Sequence, residues 1–315
     1  MKRLHVSLFN QTPLGRKTLI DLLDWVEAGF TENGFKVTIS DEDFIAGVPN
    51  LIFENNHRQQ AFFDKFGPNG KPFPLIIFVT EVIHKNKFDD WSGNWNGNER
   101  FRDFLPMMQI ADGFLTTVPG NVKPLRKVAP ASFFEFGYSE KLVSAVPPDQ
   151  WQYDYSFAGA LTPHRTKFLN EITARGLHVT SPAKGPVDAD HTAAVSTNDL
   201  YLDSIRHSAI NICLKQHPDW PLPSGTRLAR IAHSITGCAL EQTATVTKQS
   251  ALFPTFTGVD DFLNRFGTID RQKIHREAVD RLNLYRETLP LKAEVARNID
   301  EVPALTPKIP KFKKL

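Results

Sequence analysis

Residues able to hold or neutralise a phosphate gather at two turns in the second half of the chain. Residues 157–167 read Phe-Ala-Gly-Ala-Leu-Thr-Pro-His-Arg-Thr-Lys, an apolar stretch ending at Gly159 and then a helix opening at Pro163, with His164, Arg165 and Lys167 near its start. Glycine lets a ligand approach the backbone, the first amides of a helix favour an anion, and adjacent cations add to that field. The same Gly and Pro also serve an ordinary strand-to-helix turn. Residues 214–227 place Lys215, His217 and Arg227 around a Pro-rich loop, with Ser224 or Thr226 able to cap the helix that follows. Cations fixed there in advance would neutralise charge developing on a leaving phosphate. The plainer role for Arg227 is that of a surface helix arginine.

The first half offers proton acceptors instead. Taking a proton from a hydroxyl requires an Asp, Glu or His within hydrogen-bond reach. By position the candidates are Glu54 and His57 after an expected third strand, Glu81 and His84 after a fourth, and the acids at 41–43 after a second. Spacing does not choose among them, and each also suits a solvated loop. The turn ending at Gly15 would approach phosphates or an acceptor, and Trp91 and Trp95 would form a stacking platform or a hydrophobic plug. No His/Cys spacing suggests a metal site, so neither metal nor cofactor is expected.

Positioning such residues at the carboxyl ends of strands requires alternating strands and helices. Residues 4–9 read as a buried strand, followed by a helix carrying Leu19, Leu22, Leu23, Val26 and Phe30 at helical spacing and stopped by Gly34. Strands are expected at 35–39, 51–53, 74–79, 110–116 and 131–136, with a helix at 59–66 and a loop at 81–98. The pattern breaks at 146–149 and resumes with strands at 153–159, 178–180, 209–214 and 238–241. Helices are expected at 163–175, 199–207, 226–235 and 259–266, and a long one at 270–298 interrupted at Pro290.

The chain has 315 residues, long for a single core, with 41% hydrophobic and 23% charged residues and a net charge of +2. That balance selects no partner. The tail at 307–315 is basic and Pro-interrupted, leaving open a nucleic-acid or anionic-surface contact beside the plainer role of a solvated end. The apolar run at 4–9 is too short for a signal-peptide core and no stretch reaches the length of a membrane span, so the expected location is cytoplasmic with no transmembrane segment. Cys213 and Cys238 lie in apolar segments and read as reduced, buried thiols.

Residues 155–172, Tyr-Ser-Phe-Ala-Gly-Ala-Leu-Thr-Pro-His-Arg-Thr-Lys-Phe-Leu-Asn-Glu-Ile, followed by Gly176-Leu-His-Val, resemble the start of the C-terminal domain of GT-B glycosyltransferases, particularly the bacterial spore-maturation-like group. The blocks 209–215 and 226–241 are similar to that group's strand, Arg-containing helix, small-residue turn and strand ending near an acid. The resemblance covers the second half by motif and the first by layout only. It implies an α/β fold of two Rossmann-like domains facing each other across a cleft: residues 1–148 on the acceptor side, 149–300 on the donor side, and a basic tail at 301–315.

It further implies a hexosyl- or pentosyltransferase, metal-independent, with a nucleotide-diphospho-sugar and a glycan or other hydroxyl acceptor as partners. Position by position, Gly159 would admit the donor phosphates, Arg227 would face them, and Glu241 would lie near the ribose or the sugar. Where many GT-B enzymes carry a glutamate before the small-residue turn, this chain has Arg230. A non-catalytic sugar-nucleotide or glycan-binding module and a glycosyltransferase acting on modified DNA bases are the alternatives. The expected site is therefore Glu54, His57 and Glu81 for proton transfer, and Gly15, Gly159, His164, Arg165, Lys215, Thr226, Arg227 and Glu241 for the donor.

Overall fold

A computed structural model describes the chain except residues 10, 12, 41–43, 55–58, 67–70, 89–96, 182–197 and 307–315. Two compact units divide it. The first comprises residues 1–16, 29–134 and 292–315, and the second residues 17–28 and 135–291. The expected linker at 146–149 thus lies inside the second unit, and the end of the last helix belongs to the first. Helix α1 (Pro13–Glu32) contributes to both.

In the first unit, β1 (Lys2–Ser7), β2 (Phe35–Ser40), β3 (Asn50–Phe53) and β4 (Leu75–Val79) form part of a six-stranded parallel sheet. Helix α2 (Gln59–Phe66) joins β3 to β4, and a small antiparallel hairpin, β5 (Ile83–His84) and β6 (Lys87–Phe88), follows β4. Helix α3 (Gly97–Ile110), β7 (Gly113–Thr116), the short α4 (Val122–Leu125) and β8 (Ala131–Phe133) complete the run, with sheet order β2-β1-β3-β4-β7-β8. All five residues of β4, Leu-Ile-Ile-Phe-Val, are buried, as expected of a strand covered on both faces.

The expected strand at 110–116 begins later, because Ile110 closes α3. Phe101, Phe104, Met107 and Met108 recur at helical spacing on the buried side of α3, which overlaps the expected loop only at 97–98 and otherwise fills residues 99–109, where no element was expected.

The second unit holds β9 (Tyr153–Ser156), α5 (Pro163–Ala174), β10 (Val179–Thr180), α6 (Asn198–Arg206) and β11 (Ser208–Cys213). It continues with α7 (Gly225–His233), β12 (Gly237–Glu241), β13 (Thr255–Phe256), α8 (Gly258–Phe266) and α9 (Arg271–Thr288). Its sheet is parallel throughout, in the order β10-β9-β11-β12-β13. Strand β13 is too short to register in the sequence pattern. Cys213 and Cys238 are free, buried thiols with sulfurs 4.0 Å apart.

The break expected at Pro290 occurs: α9 stops at Thr288 and α10 (Leu291–Glu301) starts after it. The backbone there is satisfied by Tyr138, whose amide donates to the Leu289 carbonyl at 2.7 Å and whose carbonyl accepts from the Leu291 amide at 2.8 Å. Gly137 makes this approach feasible, since a β-carbon on it would lie 2.7 Å from the Leu289 carbonyl oxygen and from the Leu291 backbone. Gly137→Ala should therefore cost about 1–3 kcal/mol, the scale of overpacking against atoms that cannot yield, read as a lower denaturation midpoint of the full chain.

Candidate functional site

Doubly wound sheets bind ligands where the strand order reverses, at the carboxyl ends of the two strands flanking that point. In the second unit these strands are β9 and β11, and the loops leaving them carry Gly159 and Lys215. Thr162 caps α5: its hydroxyl accepts from the Arg165 amide at 3.4 Å and donates to the Gln216 carbonyl at 2.8 Å, joining the two loops. Thr162-Pro163 is a legible helix start, but the bond across to Gln216 has no local signal.

Arg165 is buried, and three of the five N–H donors of its guanidinium go to backbone carbonyls. Nε donates to the Lys215 carbonyl at 3.0 Å, Nη1 to Ala160 at 2.9 Å and Nη2 to Leu214 at 3.0 Å. Burial, and then the neighbouring Arg227, push its pKa down to about 9, so it stays charged at neutral pH. Arg165 therefore ties together the loops leaving β9 and β11, a positioning role beside the donor contact expected of it.

Arg227, in the first turn of α7, is the opposite case. It is 8% exposed, yet Nε and Nη1 have no hydrogen-bond partner among the described residues. Its guanidinium lies 5.6 Å from the Phe157 ring centroid, beside the Cys213 thiol and directly over Gly159. Arg165 faces the same ring at 5.4 Å. Two cations on one ring, one with unmet donors, make a site that gains from an anion. The space above Gly159 is thus filled by Arg227 and is not left open for a phosphate. Thr226 is half-buried beside Ser224, their hydroxyls 3.4 Å apart, and Ser224 makes no side-chain capping bond, so the first amides of α7 keep the donors that a helix start leaves unmet.

Glu241, ending β12, gathers two further expected residues. Its carboxylate meets His164 Nε2 at 2.9 and 3.1 Å, accepts from the Lys215 amide at 2.8 Å, and lies 3.6 Å from Lys215 Nζ. Lys215 Nζ also donates to the Pro218 carbonyl at 2.8 Å. The structure therefore brings His164, Lys215 and Glu241 into one network and leaves His217 exposed at 3.6 Å from Asp219. Arg230 points elsewhere. It is paired with Asp21 at 2.7 Å and with Asp24, and stacks over Trp25 at 4.5 Å, which makes it a structural cation of the α7 face.

In the first unit the order reverses at β1 and β3. Gly15 lies in the first turn of α1, which already starts at Pro13, so the turn expected to run through it ends earlier. Glu54 follows β3 and is 6% exposed. Thr80 Oγ1 donates to its Oε1 at 2.5 Å, while Oε2 is buried with no partner among the described residues. Burial first, and then the nearby Glu81 carboxylate, raise its pKa from 4.5 to about 7. Glu81, after β4, is paired with Arg100 of α3 at 2.9 Å and fixed through its backbone carbonyl by Asn121 at 2.7 Å. Thr80, Arg100 and Asn121 were not expected, because their partners are remote in sequence. His57, the acids at 41–43, Trp91, Trp95 and the basic tail lie outside the described residues. Among the described residues no group of three or more His, Cys, Asp or Glu is arranged to hold a metal ion, and no helix is long and apolar enough to cross a membrane.

No protein-family profile and no curated protein matches the sequence. Solved structures do. A DNA-modifying β-glucosyltransferase, studied with and without its substrate uridine diphosphoglucose, matches with a TM-score of 0.57 at 10% identity, over 96% of this chain and 100% of that one. An α-glucosyltransferase in complex with UDP gives a TM-score of 0.57 at 10% identity, over 96% and 100%. A glycosyltransferase of avilamycin A biosynthesis gives 0.51 at 8%, over 97% and 98%. The fold is accordingly that of the GT-B glycosyltransferases, built from two Rossmann-like units. The likeness is to that fold at large, and no sequence match ties the chain to the spore-maturation-like group in particular.

Two outcomes check this geometry. Gly159→Ala puts a methyl group where the Arg227 guanidinium lies, and should cost about 1–3 kcal/mol of stability, the scale of overpacking in a buried site, read as a lower denaturation midpoint. Glu54 holds a proton in the folded chain that the unfolded chain has already lost, so its burial lowers stability progressively as pH rises from 4.5 to about 7. Glu54→Gln should therefore stabilise the chain at pH 8 by on the order of 3 kcal/mol and have little effect at pH 4, by denaturant titration at the two pH values.

Proposed function

We propose that this chain is a glycosyltransferase that moves a hexosyl or pentosyl group from a nucleotide-diphospho-sugar to a hydroxyl acceptor. The observation that carries the reading is Arg227, a buried guanidinium with two nitrogens that have no partner among the described residues, at the order reversal of the second sheet. A diphosphate would satisfy those donors and offset the repulsion from Arg165. Lys215, 17% exposed at the side chain, would add a second cation as the leaving group gains charge. Cations in these places supply the charge stabilisation that other transferases obtain from a divalent ion, which supports a metal-independent, cofactor-free transfer.

The first unit then carries the acceptor side, with Glu54 at its own order reversal. A hydroxyl on DNA is a second reading of the acceptor, supported by the likeness to a DNA-modifying β-glucosyltransferase and by four lysines in the tail at 307–315. One experiment tests both. A panel of nucleotide sugars is incubated with glycan and hydroxyl-bearing DNA acceptors, and free nucleotide release is followed. One donor should be consumed, with kcat/KM lowered about 10²–10³-fold in Arg227→Met and unchanged by EDTA. DNA as the acceptor also requires binding that weakens steeply with salt and is reduced by deleting 307–315. Tight UDP binding with no turnover of any donor would instead make the chain a binding module.

A further inference from the structure

Glu54, His57 and Glu81 each have the chemistry to take a proton from an acceptor hydroxyl, and the geometry separates the two carboxylates. Glu81 is neutralised by Arg100 at 2.9 Å. Glu54 has one oxygen held by Thr80 at 2.5 Å, which fixes the carboxyl plane, and the other buried without a partner among the described residues. A buried polar atom left unmet is destabilising, and persists where a ligand supplies what the fold does not. Here it stands at the carboxyl end of β3, beside the order reversal of the sheet.

We infer that Glu54 is the base that deprotonates the acceptor hydroxyl, and that the transfer therefore inverts configuration at the anomeric carbon. The inference rests on the glycosyltransferase reading and adds its stereochemical course. The hydroxyl proton passes to Glu54 Oε2 while the O–H electron pair stays on the acceptor oxygen. That oxygen forms the new bond to the anomeric carbon as the bond from this carbon to the diphosphate oxygen breaks, its electron pair leaving with the nucleoside diphosphate. A single displacement enters opposite the leaving group, which is why one base and one step give inversion. Among the described residues the charged group facing Glu54 is Glu81, which follows β4 and is itself paired with Arg100 of α3.

The test uses the full chain with the donor and acceptor that turn over in the panel. Proton NMR of the new glycoside should show the anomeric configuration opposite to that of the donor. Glu54→Gln should lower kcat by about 10²–10⁴-fold with the KM for donor little changed, and the acid limb of the kcat/KM profile near pH 7 should disappear. The variant is expected to be more stable than the parent at pH 8, so a loss of activity is not a loss of fold. A retained anomer overturns the inference, as does an active Glu54→Gln beside an inactive His57→Ala, and both leave the glycosyltransferase reading standing. A parent chain that consumes no donor overturns both.

Discussion

Two guanidinium groups share the ring of Phe157, and the difference between them organises the second unit. Arg165 donates to the carbonyls of Ala160, Leu214 and Lys215, so the loops leaving β9 and β11 are tied to each other through one side chain. Arg227 arrives from α7 at the same ring with no comparable set of acceptors. Burying a cation bonded to three carbonyls next to one without such partners is unfavourable on its own, and both are held by the parallel sheet whose central strand β11 is buried along its whole length. Electrostatic preorganisation has this form: the charge is desolvated before the ligand comes, so little rearrangement is needed when it does.

The first unit stores the same kind of strain in a carboxylate. Glu54 would be better solvated on the surface, yet it sits beneath the end of a central strand with its pKa pushed up to about 7. Such a group gives up stability for reactivity, because a carboxyl that titrates near neutrality is a stronger base than an exposed glutamate while still losing its proton at working pH. Each unit thus buries one incompletely satisfied titratable side chain, Arg227 in the second and Glu54 in the first, at the reversal point of its own sheet.

Much of the second unit was legible from residue order. Gly159, Thr162-Pro163, the 214–227 loop and the strand ending in Glu241 are local features whose meaning depends on neighbours in sequence, and the helices around them followed from apolar spacing and caps. The break at Pro290 was equally local. Helix α3 is absent from the expected elements although its buried Phe and Met positions repeat at helical spacing, because it fills residues 99–109 between the expected loop at 81–98 and the expected strand at 110–116.

The sequence by itself determined most of the alternation of strands and helices and the strand-end turns on which the candidate residues lie, since each depends on spacing along the chain. Only the tertiary structure decided which of these are spent and which are free. Arg165 is bonded to three carbonyls and Arg230 to Asp21 and Asp24, whereas Nε and Nη1 of Arg227 and Oε2 of Glu54 have no partner among the described residues. Glu81 is neutralised by an arginine 19 positions away, and Arg230 by acids more than 200 positions away. Hydrogen-bond satisfaction and desolvation are set by which groups meet across the fold, and no local pattern encodes that meeting.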